Sequence, residues 1–221
     1  FNLIVPRFTG GGSGDLIDKD SNFFKNLRNY DSESAKIIYE NARLYWGDQP
    51  IVEAPAYIGV TVFFLFVIGL FFLGRINLIW VLSAFAFTLF LSWGKNFSFL
   101  TEIFIDYFPF YNKFRAVSSI QVLIEFLVPF IAILGLYKFY KKGSEKIITL
   151  KKLLIVVSAF LSVFGILYFF GESLFDFKSN FEPFDQYPEI LKMIIDERII
   201  VYKSDILRSS VFVILCFGVL Y

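Results

Sequence analysis

Residues 56–73, AYIGVTVFFLFVIGLFFL, and residues 76–93, INLIWVLSAFAFTLFLSW, decide the architecture. Neither run contains an Asp, Glu, Lys or Arg, and only Gly74 and Arg75 separate them. A helix needs roughly 17 to 25 apolar residues to cross a hydrocarbon core about 30 Å thick. The apolar residues are continuous rather than spaced at helical or strand period, so a half-buried element of a soluble core does not account for them. Two residues suffice only for a tight turn, and the pair reads as an antiparallel membrane hairpin.

Working outward, residues 116–136 and 153–170 are two further segments of spanning length, and residues 209–221 begin a fifth. The chain is 57% hydrophobic and 21% aromatic, with a mean hydropathy of +0.63, which is more apolar surface than a soluble core absorbs. The expected fold is an all-α, polytopic transmembrane helix bundle. Lysines orient it. Residues 137–152 carry Lys138, Lys141, Lys142, Lys146, Lys151 and Lys152 against Glu145 alone, and Arg75 marks the other short loop on that side. Short Lys- and Arg-rich loops stay cytoplasmic, so residues 1–55, 94–115 and 171–208 are expected outside. Trp46, Tyr57, Trp93 and Tyr107 fall at the outer boundaries, where amphipathic rings favour the headgroup layer.

The outer segments are expected to carry short interfacial helices. Asp31 or Ser32 is placed to cap a helix reaching about Leu44, with Ala35, Ile38, Ala42 and Tyr45 on one face. Ile190, Ile194, Ile195, Ile199, Tyr202 and Ile206 recur at helical spacing between charges, as in a helix lying in the membrane interface. Phe1 and the short final run read as an excerpt of a longer protein, and no signal peptide opens it.

Composition also excludes chemistry. A formal charge of +1, without a basic stripe interleaved with aromatics, leaves nucleic acid out. Cys216 is the single cysteine and histidine is absent, so a disulfide framework, a zinc site and a His general base are all missing. No cofactor is evident, although a divalent cation would fit if a second acid joined Asp48. The glycines of residues 10–14 lack the Lys-Ser/Thr pair of a phosphate loop and read as a flexible linker.

The third apolar segment carries Arg115, Ser118, Gln121, Glu125 and Pro129 at steps of three or four, hence on one helical face. At 1.5 Å per residue Glu125 lies roughly 14 Å from Ala116, close to the bilayer midplane. A carboxylate there costs at least about 2.5 kcal/mol unless paired or hydrated. The face suits the wall of an outward-opening cavity, and equally hydrogen bonding between helices. Lys113 and Arg115 at the outer headgroup level suit a lipid phosphate or plain interfacial anchoring. Lys95 and Asn96 form a second polar cluster at that level, and Asp48 offers a general base or a turn-stabilising carboxylate.

Tyr45-Trp46-Gly47-Asp48-Gln49-Pro50, Ser92-Trp93-Gly94-Lys95-Asn96 and Pro109-Phe110-Tyr111-Asn112-Lys113-Phe114-Arg115, taken in order, resemble the bacterial YfhO family. Leu3-Ile4-Val5-Pro6-Arg7-Phe8 and Asp205-Ile206-Leu207-Arg208-Ser209 extend the resemblance over most of the chain. It implies a multi-pass protein of the bacterial cytoplasmic (inner) membrane, similar to C-type glycosyltransferases. Such a protein would transfer a sugar from a polyprenyl-phosphate carrier to a cell-surface polymer on the outer face. Lys113 and Arg115 would then hold the carrier phosphate, and Lys95, Asn96 and Asp48 would line the sugar or acceptor side. The catalytic acid of such enzymes would lie outside this stretch. An ion-coupled transporter or flippase using Glu125, and a non-catalytic membrane scaffold, are the competing expectations.

Overall fold

The computed structural model describes residues 1–49, 51–52, 56–113, 117–141 and 146–221. Among these are eight α-helices: α1 (Asn22–Asn26), α2 (Ser32–Asn41), α3 (Val60–Leu70), α4 (Arg75–Ser92), α5 (Ser98–Tyr107), α6 (Val122–Lys141), α7 (Lys146–Leu174) and α8 (Pro188–Leu220). The described residues form no sheet, only an isolated bridge between Leu16 and Arg43. They divide into two compact units, Phe1–Val60 with Val157–Tyr221, and Thr61–Val156.

In the second unit, α4 packs on α6 and on the 3₁₀ turn Val117–Gln121. Among the described residues, three helical segments are long and apolar enough to cross a membrane: Arg75–Ser92, Ser119–Lys141 and Leu150–Leu174. The segment expected as the first span is not among them. Its helix, α3, covers Val60–Leu70, which at 1.5 Å per residue is about 16 Å. Two features shorten it. The Ile58 N–H is held at 3.2 Å on the Leu3 carbonyl, and Gly59 has φ +99°, outside helical space. At the other end, the N–H groups of Phe71, Phe72 and Leu73 bond three residues back, tightening the chain into a turn.

The basic segment expected as a loop over residues 137–152 is mostly helix. Lys138 and Lys141 lie in the last turn of α6, where cations favour the helix dipole, and Lys151 and Lys152 lie near the start of α7. Lys142 and Glu145 fall outside the described residues.

Apolar helices gain nothing by hiding from lipid, so their contacts depend on close fit. Gly135 of α6 meets Gly69 of α3 so closely that a Cβ on Gly135 would stand 2.2 Å from the Gly69 Cα.

The first unit is built differently. Ser21 caps α1 by accepting the Phe24 N–H at 3.1 Å, and Asp31 caps α2 by accepting that of Ser34 at 3.1 Å. The helix expected to reach Leu44 ends at Asn41, because the Leu44 N–H turns to the Asp15 carbonyl at 3.0 Å. Ile17, Phe23, Leu27, Ile38, Ala42 and Leu44 form a core with Phe184, Ile190 and Ile194. Beside it, Phe8, Phe175, Phe177 and Tyr202 pack edge to face, and Trp46 lies tilted against Phe177 with centroids 4.9 Å apart.

Helix α8 runs unbroken for 33 residues, joining the expected interfacial helix to the expected fifth span. Between Pro188 and Gly218 it contains no Gly or Pro to interrupt it. It is about 50 Å long, and it is not among the helices apolar enough to cross a membrane, so the expected fifth span is not found as such among the described residues. Ile190, Ile194, Tyr202 and Ile206 are buried by protein rather than spread on a lipid interface.

The glycine run is a packed turn rather than a linker. Gly10, Gly11 and Gly12 are buried, and a Cβ on Gly10 would stand 1.9 Å from the Leu44 carbonyl oxygen.

Replacing Gly135 by Ala should separate α3 from α6 and destabilise the protein by about 1 to 3 kcal/mol, as overpacking does. Gly165→Ala, with nothing within 4 Å of the added methyl, should leave the thermal midpoint unchanged or raise it. Equal midpoints for wild type and Gly135→Ala would show that the glycine contact carries no stability.

Candidate functional site

The polar centre of the first unit lies along one stripe of α8. Ile194, Arg198, Tyr202, Asp205 and Ser209 follow at steps of three or four, and all are buried. Charges inside an apolar stripe need partners, and the chain's N-terminal segments supply them.

Arg198 has its guanidinium in a shell of backbone oxygens. Nε and Nη2 donate to the Arg43 carbonyl at 3.1 and 2.8 Å, and Nη2 reaches the Tyr45 carbonyl at 3.3 Å. Nη1 donates to the Phe177 carbonyl at 2.9 Å and to Glu182 Oε2 at 2.7 Å. Both side chains of the ion pair are 1% exposed. Desolvation pulls the Arg198 guanidinium below its ordinary pKa, and the Glu182 hydrogen bond and charge oppose that shift.

Glu182 Oε1 is buried and has no hydrogen-bond partner among the described residues. The pair forms the floor of a half-open cavity of about 130 Å³. Ser13, Tyr45, Gln49, Ser179 and Phe181 complete much of its wall. Loop hydrogen bonds hold that wall: the Gln49 N–H donates to Tyr45 Oη at 3.3 Å, and Asn180 Nδ2 donates to Asp48 Oδ1 at 2.7 Å. Burial raises the Tyr45 phenol above its usual range.

One and a half to two turns along α8 from Arg198, Asp205 is gripped side-on by Arg7. Nε to Oδ2 and Nη2 to Oδ1 are both 2.9 Å. Asp205 is buried, whereas Arg7 is 45% exposed on its side chain and adopts φ +48°. A second buried α8 acid, Glu197, accepts the Phe23 N–H at 3.0 Å, satisfying a donor left free at the start of α1.

The sequence-predicted residues are distributed differently. Asp48 belongs to the first unit, where it is exposed and bonded to Asn180 beside the cavity wall. The others belong to the second unit. Lys113 is exposed in a 3₁₀ turn, and Arg115 lies outside the described residues. Lys95 sits in the turn Gly94–Phe97 without a described side chain, and Asn96 is exposed there.

The expected polar face is not a continuous α-helical one. Ser118 and Gln121 lie in the 3₁₀ turn before α6, where three residues rather than 3.6 complete a turn. The Ser118 side chain is not described, and Gln121 is half-buried. Glu125 is exposed in the first turn of α6, where a carboxylate complements the helix dipole. It lies about 9 Å along the 23-residue apolar segment that begins at Ser119, between its edge and its middle.

Among the described residues no group of three or more metal-ligating side chains converges. No family model matches the chain, and neither does any curated protein or solved structure.

Sequence reasoning passed over Arg7, Glu182, Glu197, Arg198 and Asp205. The signal was the position of three of them within the apolar stripe of residues 190–206, where a solvent-facing charge does not belong.

The Arg7–Asp205 pair should respond asymmetrically. Arg7→Ala leaves a buried carboxylate unpaired and should cost about 3 kcal/mol or more. Asp205→Asn leaves a half-exposed guanidinium that water can solvate, and should cost about 1 to 2 kcal/mol. Denaturation midpoints of the two variants, compared in one detergent, check the order.

Proposed function

We propose that this chain belongs to a bacterial inner-membrane protein that transfers a sugar from a polyprenyl-phosphate carrier to a cell-surface polymer. The observation that carries the reading is the cavity above Arg198 and Glu182. Its volume is well beyond the roughly 10 to 15 Å³ that one water needs. Ser13, Gln49 and Ser179 can each both donate and accept, as the hydroxyls of a sugar require. Tyr45 and Phe181 offer apolar ring surface to the C–H face of such a ligand. Convergent polar groups among aromatic walls are the usual composition of a small-molecule site.

The ordered motifs that resemble the YfhO family support the same chemistry. Three of them meet in this unit: Arg7 pairs with Asp205, and the Trp46 N–H bonds the Thr9 carbonyl at 2.9 Å. In this reading the lysine-bearing ends of α6 and α7 face the cytoplasm. The family resemblance assigns the carrier phosphate to Lys113 and Arg115, and the sugar or acceptor side to Lys95, Asn96 and Asp48. A carboxylate removes the acceptor hydroxyl's proton as the new glycosidic bond forms and the sugar's bond to phosphate breaks. The competing transport reading rests on Glu125, which lies in the first turn of α6 within the apolar segment Ser119–Lys141.

In the full-length protein, Gln49→Ala should lower glycan addition about tenfold, the loss of roughly one hydrogen bond. Glu182→Gln should lower it further, and Lys113→Ala or Arg115→Ala should abolish it. Membrane abundance should stay level in the Gln49, Lys113 and Arg115 variants, whereas Glu182→Gln, which breaks the buried pair with Arg198, should lower it as well. Unchanged glycans in every variant would remove the reading.

A further inference from the structure

The second unit brings together residues of α6, α7 and the turn after α3 that carry no role in the sugar transfer proposed above. The turn after α3 places Phe71 and Phe72 beneath two ammonium groups from different helices. Lys138 of α6 donates to the Phe72 carbonyl at 3.1 Å. Lys152 of α7 lies over both rings, 5.8 Å from the Phe71 centroid and 5.7 Å from that of Phe72.

Two cations are thus drawn to one turn. Among the described residues neither pairs with an acid, and Glu145 is the single acid in residues 137–152. An ammonium carries three donors. Lys138 therefore keeps two beyond its carbonyl bond, and the rings beneath Lys152 engage its charge without taking its N–H groups.

Position fixes what kind of anion fits. Lys138 lies three residues inside the end of the apolar segment Ser119–Lys141, and Lys152 two residues inside the start of Leu150–Leu174. Both sit at the edge of an apolar layer. Phe71, Leu154 and Ile155 are exposed nearby, so a ligand at this edge meets charge above and apolar surface below.

We propose that Lys138 and Lys152, set around the Phe71-Phe72 turn, form a binding site for the phosphate of an anionic phospholipid. The cations hold the phosphate, and the exposed apolar side chains border its acyl chains. Aromatic and carbonyl contacts fix the two lysines in place, which separates this site from the diffuse attraction of a basic surface for an anionic membrane. The inference does not depend on the proposed sugar transfer.

The test uses the full-length protein in phosphatidylcholine nanodiscs doped with phosphatidylglycerol, with retained lipid counted by native mass spectrometry. Wild type should retain phosphatidylglycerol in preference to phosphatidylcholine. At about fivefold per lysine, the scale of one surface charge on an anionic lipid, Lys138→Gln with Lys152→Gln should weaken retention about 25-fold. Lys141→Gln with Lys151→Gln makes the same charge change at the same edge and should leave most of it. If the first pair does not stay monodisperse, Lys152→Gln alone should show the fivefold loss, and Lys138→Arg with Lys152→Arg should preserve retention. Equal losses from the two Gln pairs, no preference for phosphatidylglycerol, or displacement of the lipid by inorganic phosphate would each overturn the proposal.

Discussion

A guanidinium withdrawn from water has to recover its five N–H hydrogen bonds, and Arg198 recovers them from three backbone carbonyls and one carboxylate. The rest of the first unit follows from that requirement. Carbonyls of Arg43 and Tyr45 fix the chain after α2, and those of Phe177 and Glu182's side chain fix the chain before α8. Segments more than 150 positions apart in sequence are held to one side chain, since Arg43 and Arg198 are 155 residues apart. The neighbouring charges repeat the pattern at longer range: Asp205 holds Arg7, and Glu197 holds the start of α1. Polar anchoring fixes the register, and the aromatic cluster around Phe8 and Tyr202 fills the space between.

The second unit works by a different rule. Its long helices α4 and α6 are apolar nearly all round, so burial of one face against another does not by itself select their contacts. Fit decides, and Gly69 against Gly135 is the clearest instance. The contrast explains why the two units draw on different residues. One buries charge against backbone oxygens, whereas the other removes side chains to let backbones touch.

The sequence made the helical class and the approximate position of three long apolar segments legible, because continuous apolar runs have few alternatives. It also made the Asp31 cap legible, since an acid before a polar helical turn has a local job. What it hid was set by distant contacts. The end of α2 depends on Asp15, the start of α3 on Leu3, and the glycine turn on Leu44. Helix α8 was divided at its change of composition, although nothing in its backbone chemistry divides it. The site suffered likewise: Glu125 and Lys113 were conspicuous for their places in the sequence, while Glu182 and Arg198 gain meaning only when the loops close over them.

The unbroken course of α8 turns it into a lever. From Arg198 to Leu220 the helix advances about 33 Å with no glycine or proline before Gly218. A rotation of a few degrees about the Arg198 anchor therefore becomes a displacement of one or two ångströms at the apolar tip. The floor of the cavity and the far end of α8 are therefore parts of one rigid rod, and a shift at either is carried to the other.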